Sequence, residues 1–223
     1  MVTMSRATED YLKAIYHVAH RGQPVTTGLL ASELGVSAPS VSAMVRRLED
    51  GGLLQRVDTR ALRLTESGER AALRVVRRHR LLETFLARVL DVPWDEVHAE
   101  AEQLEHALSE RLEDRIDAAL GHPTHDPHGD PIPPRDGPHE EGWSAALDSA
   151  PTGCRFQVDR VSDRDSAALR HLGERGVFPG VVLDVEEQEP FGGPRWIRVG
   201  GQRHPLGTPL TRLVHGHVLD GRA

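Results

Sequence analysis

Residues 27–52 read TGLLASELGVSAPSVSAMVRRLEDGG, and residues 53–65 continue LLQRVDTRALRLT. Two helix-like runs meet at Gly35-Val36-Ser37. Ser37 is the residue type that caps a helix N-terminus, and Pro39 falls in the first turn, where a missing N–H does no harm. Gly51-Gly52 ends that helix. LLQRV and ALRLT are then two short β-type runs around the turn Asp58-Thr59-Arg60. Upstream, TEDYLKAIYHVAH (8–20) sets Tyr11, Leu12, Ile15, Val18 and Ala19 at helical spacing before Gly22 and Pro24 stop it. Helix, helix, tight turn, helix and two-stranded wing form the winged helix-turn-helix pattern, so residues 1–75 are expected to bind double-stranded DNA.

In that pattern the start of the third helix enters the major groove. Here it presents Ser37, Ala38, Pro39, Ser40, Ser42 and Ala43, with Thr27 at the head of the preceding helix. Small, weakly polar side chains allow close approach and contact with thymine methyls, but they lack the bidentate base readout of Arg or Asn. Specificity then leans on DNA shape and on the spacing of two copies. Arg46, Arg47, Arg56, Arg60 and Arg63 are placed to meet phosphates, and Arg60, at the wing tip, can reach the minor groove.

Beyond the wing, residues 67–90 and 94–120 read as two long helices with continuous apolar stripes. Leu81, Leu82, Phe85, Leu86, Val89 and Leu90 form one stripe; Val97, Ala101, Leu104, Leu108, Leu112 and Ile116 form the other. Such stripes suggest an interface between subunits of a homodimer, with an intrachain helical hairpin as the alternative. Residues 121–153 are rich in Pro, Gly, His and Asp without periodicity and read as loop and linker. From Cys154 the texture turns to β: RFQVDRV, VVLDVEE, RWIRVGG and TRLVHGHVL, with a short helix in DRDSAALRHLGERG. The expected fold is mainly α with a small β part: a DNA-binding domain (1–75), a helical dimerisation and metal-binding domain (76–140), a linker (141–153) and a small SH3-like barrel (154–223).

The chain has 223 residues and a formal charge of −7, unevenly spread. Residues 1–75 hold 10 basic and 8 acidic residues, residues 76–140 hold 7 and 15, and residues 141–223 hold 10 and 11. Of the 27 basic residues, all but Lys13 are Arg. No apolar run approaches the roughly 18 residues that span a bilayer, and the N-terminus lacks a signal-peptide core, so a cytoplasmic protein with no membrane partner is expected. The single Cys154 excludes an internal disulfide framework and a multi-cysteine metal site.

The acidic middle also holds seven of the 13 histidines. The spacing of His98, Glu102, Glu105 and His106 would put His98, Glu102 and either Glu105 or His106 on one helix face, and His79 and Glu83 are four apart on the helix before. Two helices each presenting carboxylate and imidazole are how helical bundles build metal sites, and such groups repel one another without a cation. The string Glu102-x-x-Glu105-His106 differs from the H-x-x-E-H metalloprotease pattern in its first residue, and no nucleophile–base pair is apparent, so no enzyme is expected.

The motifs T-E-D-Y-L (8–12), S-A-P-S-V-S (37–42), G-G-L (51–53), L-T-E-S-G (64–68), R-H-R-L-L-E-T-F-L (78–86), E-x-x-E-H (102–106), P-H-G-D-P-I-P (127–133) and G-V-F-P-G (176–180) run over nearly the whole chain. In these the chain resembles the diphtheria-toxin-repressor/manganese-transport-regulator family of metal-dependent transcriptional regulators, whose C-terminal barrel is of FeoA type. The resemblance implies a primary metal site at Asp10, Glu102, Glu105 and His106. Iron-type members carry Met and Cys at the first two positions; Asp and Glu there match manganese-type members, and hard oxygen in place of soft sulfur moves preference from Fe(II) toward Mn(II). A second site is implied at His79, Glu83 and His98, with a ligand from the barrel, for which Asp163 is the first choice and Asp159 and Asp165 the next. Streptococcal-type manganese regulators instead use a C-P-H-G loop with the Glu83 position. Here that loop is Asp126-Pro127-His128-Gly129, with Asp126 in place of Cys and His125 adjacent. Some manganese regulators add an acidic residue one turn after the first-helix Asp to form a dinuclear centre; Lys13 stands there, which implies two separate sites. The expected function is Mn(II)-dependent repression of manganese uptake. The alternatives are an Fe(II) or broad divalent response, with Co(II), Cd(II) or Zn(II) accepted in vitro, and a metal-buffering scaffold whose winged helix binds protein.

Overall fold

The structure, a computed structural model, describes residues 4–58, 61–136, 139, 142 and 144–219. Thr59 and Arg60 at the expected wing tip therefore lie outside the described residues. The chain forms two compact units, one of residues 1–79, 103–113 and 133–141, the other of residues 80–102, 114–132 and 142–223. Among the described residues no single helix is long and apolar enough to cross a membrane.

In the first unit, α1 (Arg6–His20) starts at Ser5, whose side chain accepts from the Thr8 N–H. α2 (Thr27–Leu34) is capped by Thr26 and ends at Gly35 in the left-handed region, φ 63°. Ser37 caps α3 (Ala38–Asp50), accepting from Ser40 N–H. β1 (Leu54–Arg56) and β2 (Leu62–Leu64) pair antiparallel as the wing. Leu12, Ile15, Tyr16 and Val18 of α1 pack with Leu30, Val41, Val45, Leu48, Leu54 and Leu62 in one core. That core fixes α3 relative to α1, so whatever holds α1 also aims the reading helix. α4 (Glu66–Leu90) leaves the wing through a close contact: a Cβ on Gly68 would sit 1.9 Å from the Leu53 carbonyl oxygen. The glycine of the L-T-E-S-G motif thus has a steric reason.

The single helix expected over 94–120 is two helices, α5 (Val97–Leu104) and α6 (Glu110–Ala119). Ser109 explains the break. Its hydroxyl accepts from Leu112 N–H at 3.3 Å, and its carbonyl accepts from Leu112 and Glu113 N–H at 2.9 Å, which starts a new helix where the old one would have continued. Glu105 and His106 consequently stand on the turn after α5, not on one helix face with His98 and Glu102.

In the second unit, residues 144–153 of the stretch read as loop and linker contain β3 (Ala145–Ala146) and a 3-10 turn at Leu147–Ser149, and residues 121–132 hold an ordered turn. Within it, Asp126 Oδ1 accepts from the N–H groups of His128 (2.8 Å) and Asp130 (2.9 Å), and Ile132 N–H bonds the Thr124 carbonyl (2.8 Å). Hydrophobic periodicity is blind to such a turn, because its own carboxylate organises it. Beyond it come β4 (Arg155–Val161), α7 (Ser166–Gly173), β5 (Val182–Gln188), β6 (Arg195–Val199), β7 (Gln202–Leu206), α8 (Thr208–Thr211) and β8 (Val214–Leu219). They form a six-stranded sheet of order β3-β8-β4-β5-β6-β7, antiparallel throughout, around Phe156, Val158, Leu169, Leu172, Leu183, Ile197 and Val214. The short polar β7 escapes a hydrophobic-pattern reading; it is an edge strand, which is where its Pro205 is tolerated.

The 126–132 turn is fastened to β4. Val161 N–H bonds the His128 carbonyl at 2.9 Å, and both Arg80 and Arg160 pair with Asp130. Gly129, at φ 88°, lies so close to β4 that a Cβ would come within 2.1 Å of the Asp159 carbonyl oxygen. Gly129→Ala combines a left-handed backbone with a backbone clash. It should cost more than about 2 kcal/mol and lower the midpoint of thermal unfolding by several degrees, read by circular dichroism.

Candidate metal centres and DNA-reading surface

The first centre lies wholly in the first unit. Asp10 of α1 and Glu105 and His106 of the 105–109 turn each bring one ligand atom within 4.8 Å of the others. His106 Nε2 is 2.8 Å from Asp10 Oδ1 and 3.3 Å from Glu105 Oε1, and its Nδ1 is 2.6 Å from Glu9 Oε2. The Glu105 side chain is 1 % exposed and engaged at both oxygens: Lys13 Nζ donates to Oε1 at 2.6 Å, and His79 Nδ1 stands 2.5 Å from Oε2. Burial opposes the charge on Glu105, but the hydrogen bond and charge of His79, with Lys13, overcome this and hold its pKa below the ordinary carboxylate value. The donors are two carboxylates and an imidazole, a set suited to a divalent cation.

The second centre lies wholly in the second unit. Glu83 of α4, His98 of α5 and Asp163, in the β4–α7 connection, bring ligand atoms within 4.8 Å of one another, and so do Glu83, Asp126 and His128. His98 Nδ1 is 3.1 Å from Glu83 Oε1 and 3.0 Å from Asp163 Oδ2. Burial disfavours a charged His98, yet hydrogen bonds to Asp163 and Glu83 and their charges prevail and push its pKa up to about 11. Its imidazolium supplies the positive charge among these carboxylates. Asp163 is in turn held below the ordinary carboxylate value, chiefly by His98 against the effect of burial. Asp126 goes the other way: burial, then Asp130 and Glu83, raise it well above its usual value despite Arg80.

His128 tests whether this second set suits a cation. The ring is fully buried, and Nε2 lies 2.7 Å from the Trp94 carbonyl oxygen, to which it can only donate. The neutral ring then carries a lone pair on Nδ1. That atom is buried without a hydrogen-bond partner among the described residues, 3.8 Å from Glu83 Oε1. A buried imidazole whose other nitrogen is pinned to a carbonyl is the arrangement found at metal-ligating histidines.

The remaining expected ligands fall as follows. Glu102 is half exposed, and its Oε1 lies 3.7 Å from His98 Nε2. His79 is turned onto Glu105. Asp126 has one oxygen committed to the turn that carries His128. His125 bonds Thr124 through Nδ1 and is exposed, Asp159 pairs with His217, and Asp165 caps α7. Sequence reading missed three participants: Glu9, the Lys13 ammonium as partner of Glu105, and the Trp94 carbonyl. Lys13 had a signal, being the one Lys of the chain inside a helix otherwise apolar on that face.

Ser37, Ala38, Pro39, Ser40, Ser42, Ala43, Arg46 and Arg47 are all exposed, and they alternate with buried Val41, Met44, Val45 and Leu48 on α3. Ser37 Oγ and Ser40 Oγ are 2.8 Å apart, and Ser42 Oγ donates to the Ala38 carbonyl at 3.0 Å, so the serine hydroxyls are largely spent within the helix. Thr27 is partly buried on α2, beside its cap Thr26. Arg56 is paired with Glu49 at 2.9 Å, and Arg63 is exposed on β2.

Family models agree with this layout. The iron dependent repressor N-terminal DNA binding domain matches residues 3–62, the iron dependent repressor metal binding and dimerisation domain matches residues 65–134, and the FeoA domain matches residues 145–215. The chain belongs to the iron-dependent repressor family. It is 44 % identical over 220 residues to the iron-dependent repressor IdeR of Mycobacterium tuberculosis (strain ATCC 25618 / H37Rv), which covers 93 % of this chain and 95 % of that protein. A solved manganese-dependent transcriptional repressor in complex with manganese is 42 % identical, with TM-score 0.88, over 95 % of this chain and all of the other. ScaR with bound Cd2+ is 29 % identical, with TM-score 0.82, over 95 % of this chain and 99 % of the other. As a member of the iron-dependent repressor family the chain is a metal-dependent DNA-binding repressor with a dimerisation domain, not an enzyme.

The Lys13–Glu105 pair sets a stability test. Lys13→Met leaves a buried carboxylate without its nearest cation, which should cost about 3 kcal/mol in urea unfolding of the metal-free chain. Excess divalent metal, which supplies the missing charge, should recover most of that loss.

Proposed function

We propose that the chain is a Mn(II)-responsive, homodimeric repressor of metal-uptake genes, acting in the cytoplasm. The observation that carries this reading is the donor set: Asp10, Glu105 and His106 in one centre and Glu83, His98, His128 and Asp163 in the other offer oxygen and nitrogen, with no sulfur. Hard oxygen donors favour Mn(II) over softer competitors relative to a Met- or Cys-containing site. The relatives' names divide between iron and manganese, so the ligands must decide. Glu102, His79 and Asp126 are kept as further candidate ligands, and Fe(II), Co(II), Cd(II) or Zn(II) as ions the sites would also accept in vitro.

A bound divalent cation supplies the charge that lets Asp10, Glu105 and His106 close on one point. Asp10 sits on α1, and α1 shares a core with α3. Closing that centre therefore fixes α3, with Ser37, Ala38, Pro39, Ser40, Ser42 and Ala43 toward the groove and Arg46 and Arg47 toward phosphates. A tenfold preference of metal for the DNA-competent arrangement corresponds to about 1.4 kcal/mol. The exposed Val89 and Leu90 at the end of α4, and Leu112 on α6, are apolar surface that a second copy would cover.

Gel-shift titration on the gene's own promoter, with and without Mn(II), tests the reading; no retardation under any metal would favour a scaffold. His106→Ala should abolish metal-dependent retardation while sedimentation still reports a folded dimer. Asp10→Met combined with Glu102→Cys should move activation from Mn(II) toward Fe(II) or Co(II), and an unchanged metal order would sink the selectivity argument. Glu83→Ala and His128→Ala should each lower the metal count and raise the Mn(II) needed, yet leave DNA binding at saturating metal. A second centre coupled by about 1–3 kcal/mol shifts the response without carrying it.

A further inference from the structure

Glu9 precedes Asp10 on α1 and belongs to neither ligand set. Its Oε2 is 2.6 Å from His106 Nδ1, and its Oε1 is 3.7 Å from the Arg78 guanidinium. Arg78 is itself anchored, its Nε 3.2 Å from Glu113 Oε2. The two neighbouring carboxylates of α1 thus bracket one imidazole, Glu9 at Nδ1 and Asp10 at Nε2. An imidazole that ligates a cation keeps one ring proton, so one nitrogen donates and the other binds. Two differences assign it to the Glu9 side. The Glu9 side chain is 15 % exposed and braced by Arg78; that of Asp10 is 38 % exposed, so it is the freer of the two to turn onto a cation.

We propose that Glu9 is a positioning residue of the first centre. It accepts the Nδ1 proton of His106, and this fixes the ring so that Nε2 offers its lone pair to a divalent cation shared with Asp10 and Glu105. The inference rests on reading those three residues as a metal centre. Its chemistry is that of a carboxylate behind a metal-bound histidine, which sets the tautomer, orients the ring and makes it a stronger donor. A charged acceptor does this better than a neutral one. Arg78 keeps Glu9 from swinging away, and the Arg78–Glu113 pair extends the brace to the first turn of α6.

The test uses the full-length chain, titrated with Mn(II) by calorimetry and with Co(II) by visible absorption. The phase read is the one that His106→Ala removes. Glu9→Ala should weaken Mn(II) in that phase by about 10–100-fold and alter the Co(II) spectrum. Glu9→Gln, which keeps an acceptor without its charge, should recover part of the affinity. Glu110→Gln removes a charge from the same cleft without touching His106 and should change neither reading. If Glu9→Ala does not fold, Glu9→Gln decides: weakening by about threefold or more, with a shifted Co(II) spectrum, supports the role, and wild-type behaviour overturns it. Glu9→Ala binding within about twofold of wild type and with the same spectrum overturns the role while the centre stands. If His106→Ala removes no metal at all, the centre and the role of Glu9 fall together.

Discussion

The carboxylate of Glu105 is out of reach of water, and the first unit is arranged around keeping it charged. A buried carboxylate needs a cation or a hydrogen-bond donor at each oxygen. Lys13 comes from α1, and His79 comes from α4. Those two contacts bring the amphipathic first helix and the long helix to the 105–109 turn, and with them His106, Asp10 and Glu9. A metal centre built here costs little further desolvation, because the helices have already been drawn together by the charge of Glu105. The single lysine of the chain is therefore a structural cation and a neighbour of the candidate metal ligands at once.

The second unit meets the same constraint with other residues. Glu83 is fully buried, and the positive charge near it comes from His98. The difference is that one of its candidate ligands, His128, is carried by a turn with no regular secondary structure. Asp126 makes that turn rigid through two backbone N–H groups, Gly129 lets it touch β4, and Arg80 and Arg160 clamp Asp130. The P-H-G-D-P motif is thus a mount for one imidazole. Asp163 reaches the same centre from the far end of β4, so the sheet and the helices of this unit share a ligand set as well as a hydrophobic boundary.

Patterning revealed the helices and most strands because burial has a period, and it separated the exposed face of α3 from its buried one because that helix alternates exposed and buried residues. It failed where polar groups direct the chain. The Ser109 cap splits α5 from α6 with no change in apolar spacing, so Glu105 and His106 were expected on a helix and stand on a turn. The 126–132 turn has no periodicity to read, since its order comes from one aspartate and one glycine. The candidate ligands that the structure brings together were legible as residue types at positions the resemblance implied. Their partners were not: Glu9 reaches its ring across 97 residues of sequence, and Lys13 reaches Glu105 across 92.

Donor softness is one selectivity lever, and the chain's cysteine is not available for it. Cys154 lies against the sheet core, and burial raises its pKa, so the thiolate that a soft metal would require is disfavoured there. Oxygen and nitrogen donors remain. By raw affinity such sites rank Mn(II) below Fe(II), Co(II), Ni(II) and Cu(II). Affinity alone therefore cannot make the proposed sensor a manganese sensor. On the proposed reading, the discrimination comes from which ion draws Asp10 fully onto His106 and Glu105, because α1 shares its core with α3. An ion that binds two of the three ligands tightly would occupy the centre and leave α1 free. On that reading a response to Mn(II) is a property of the geometry reached on binding, and Glu9 and Arg78, behind the His106 ring, bear on metal choice through that ring.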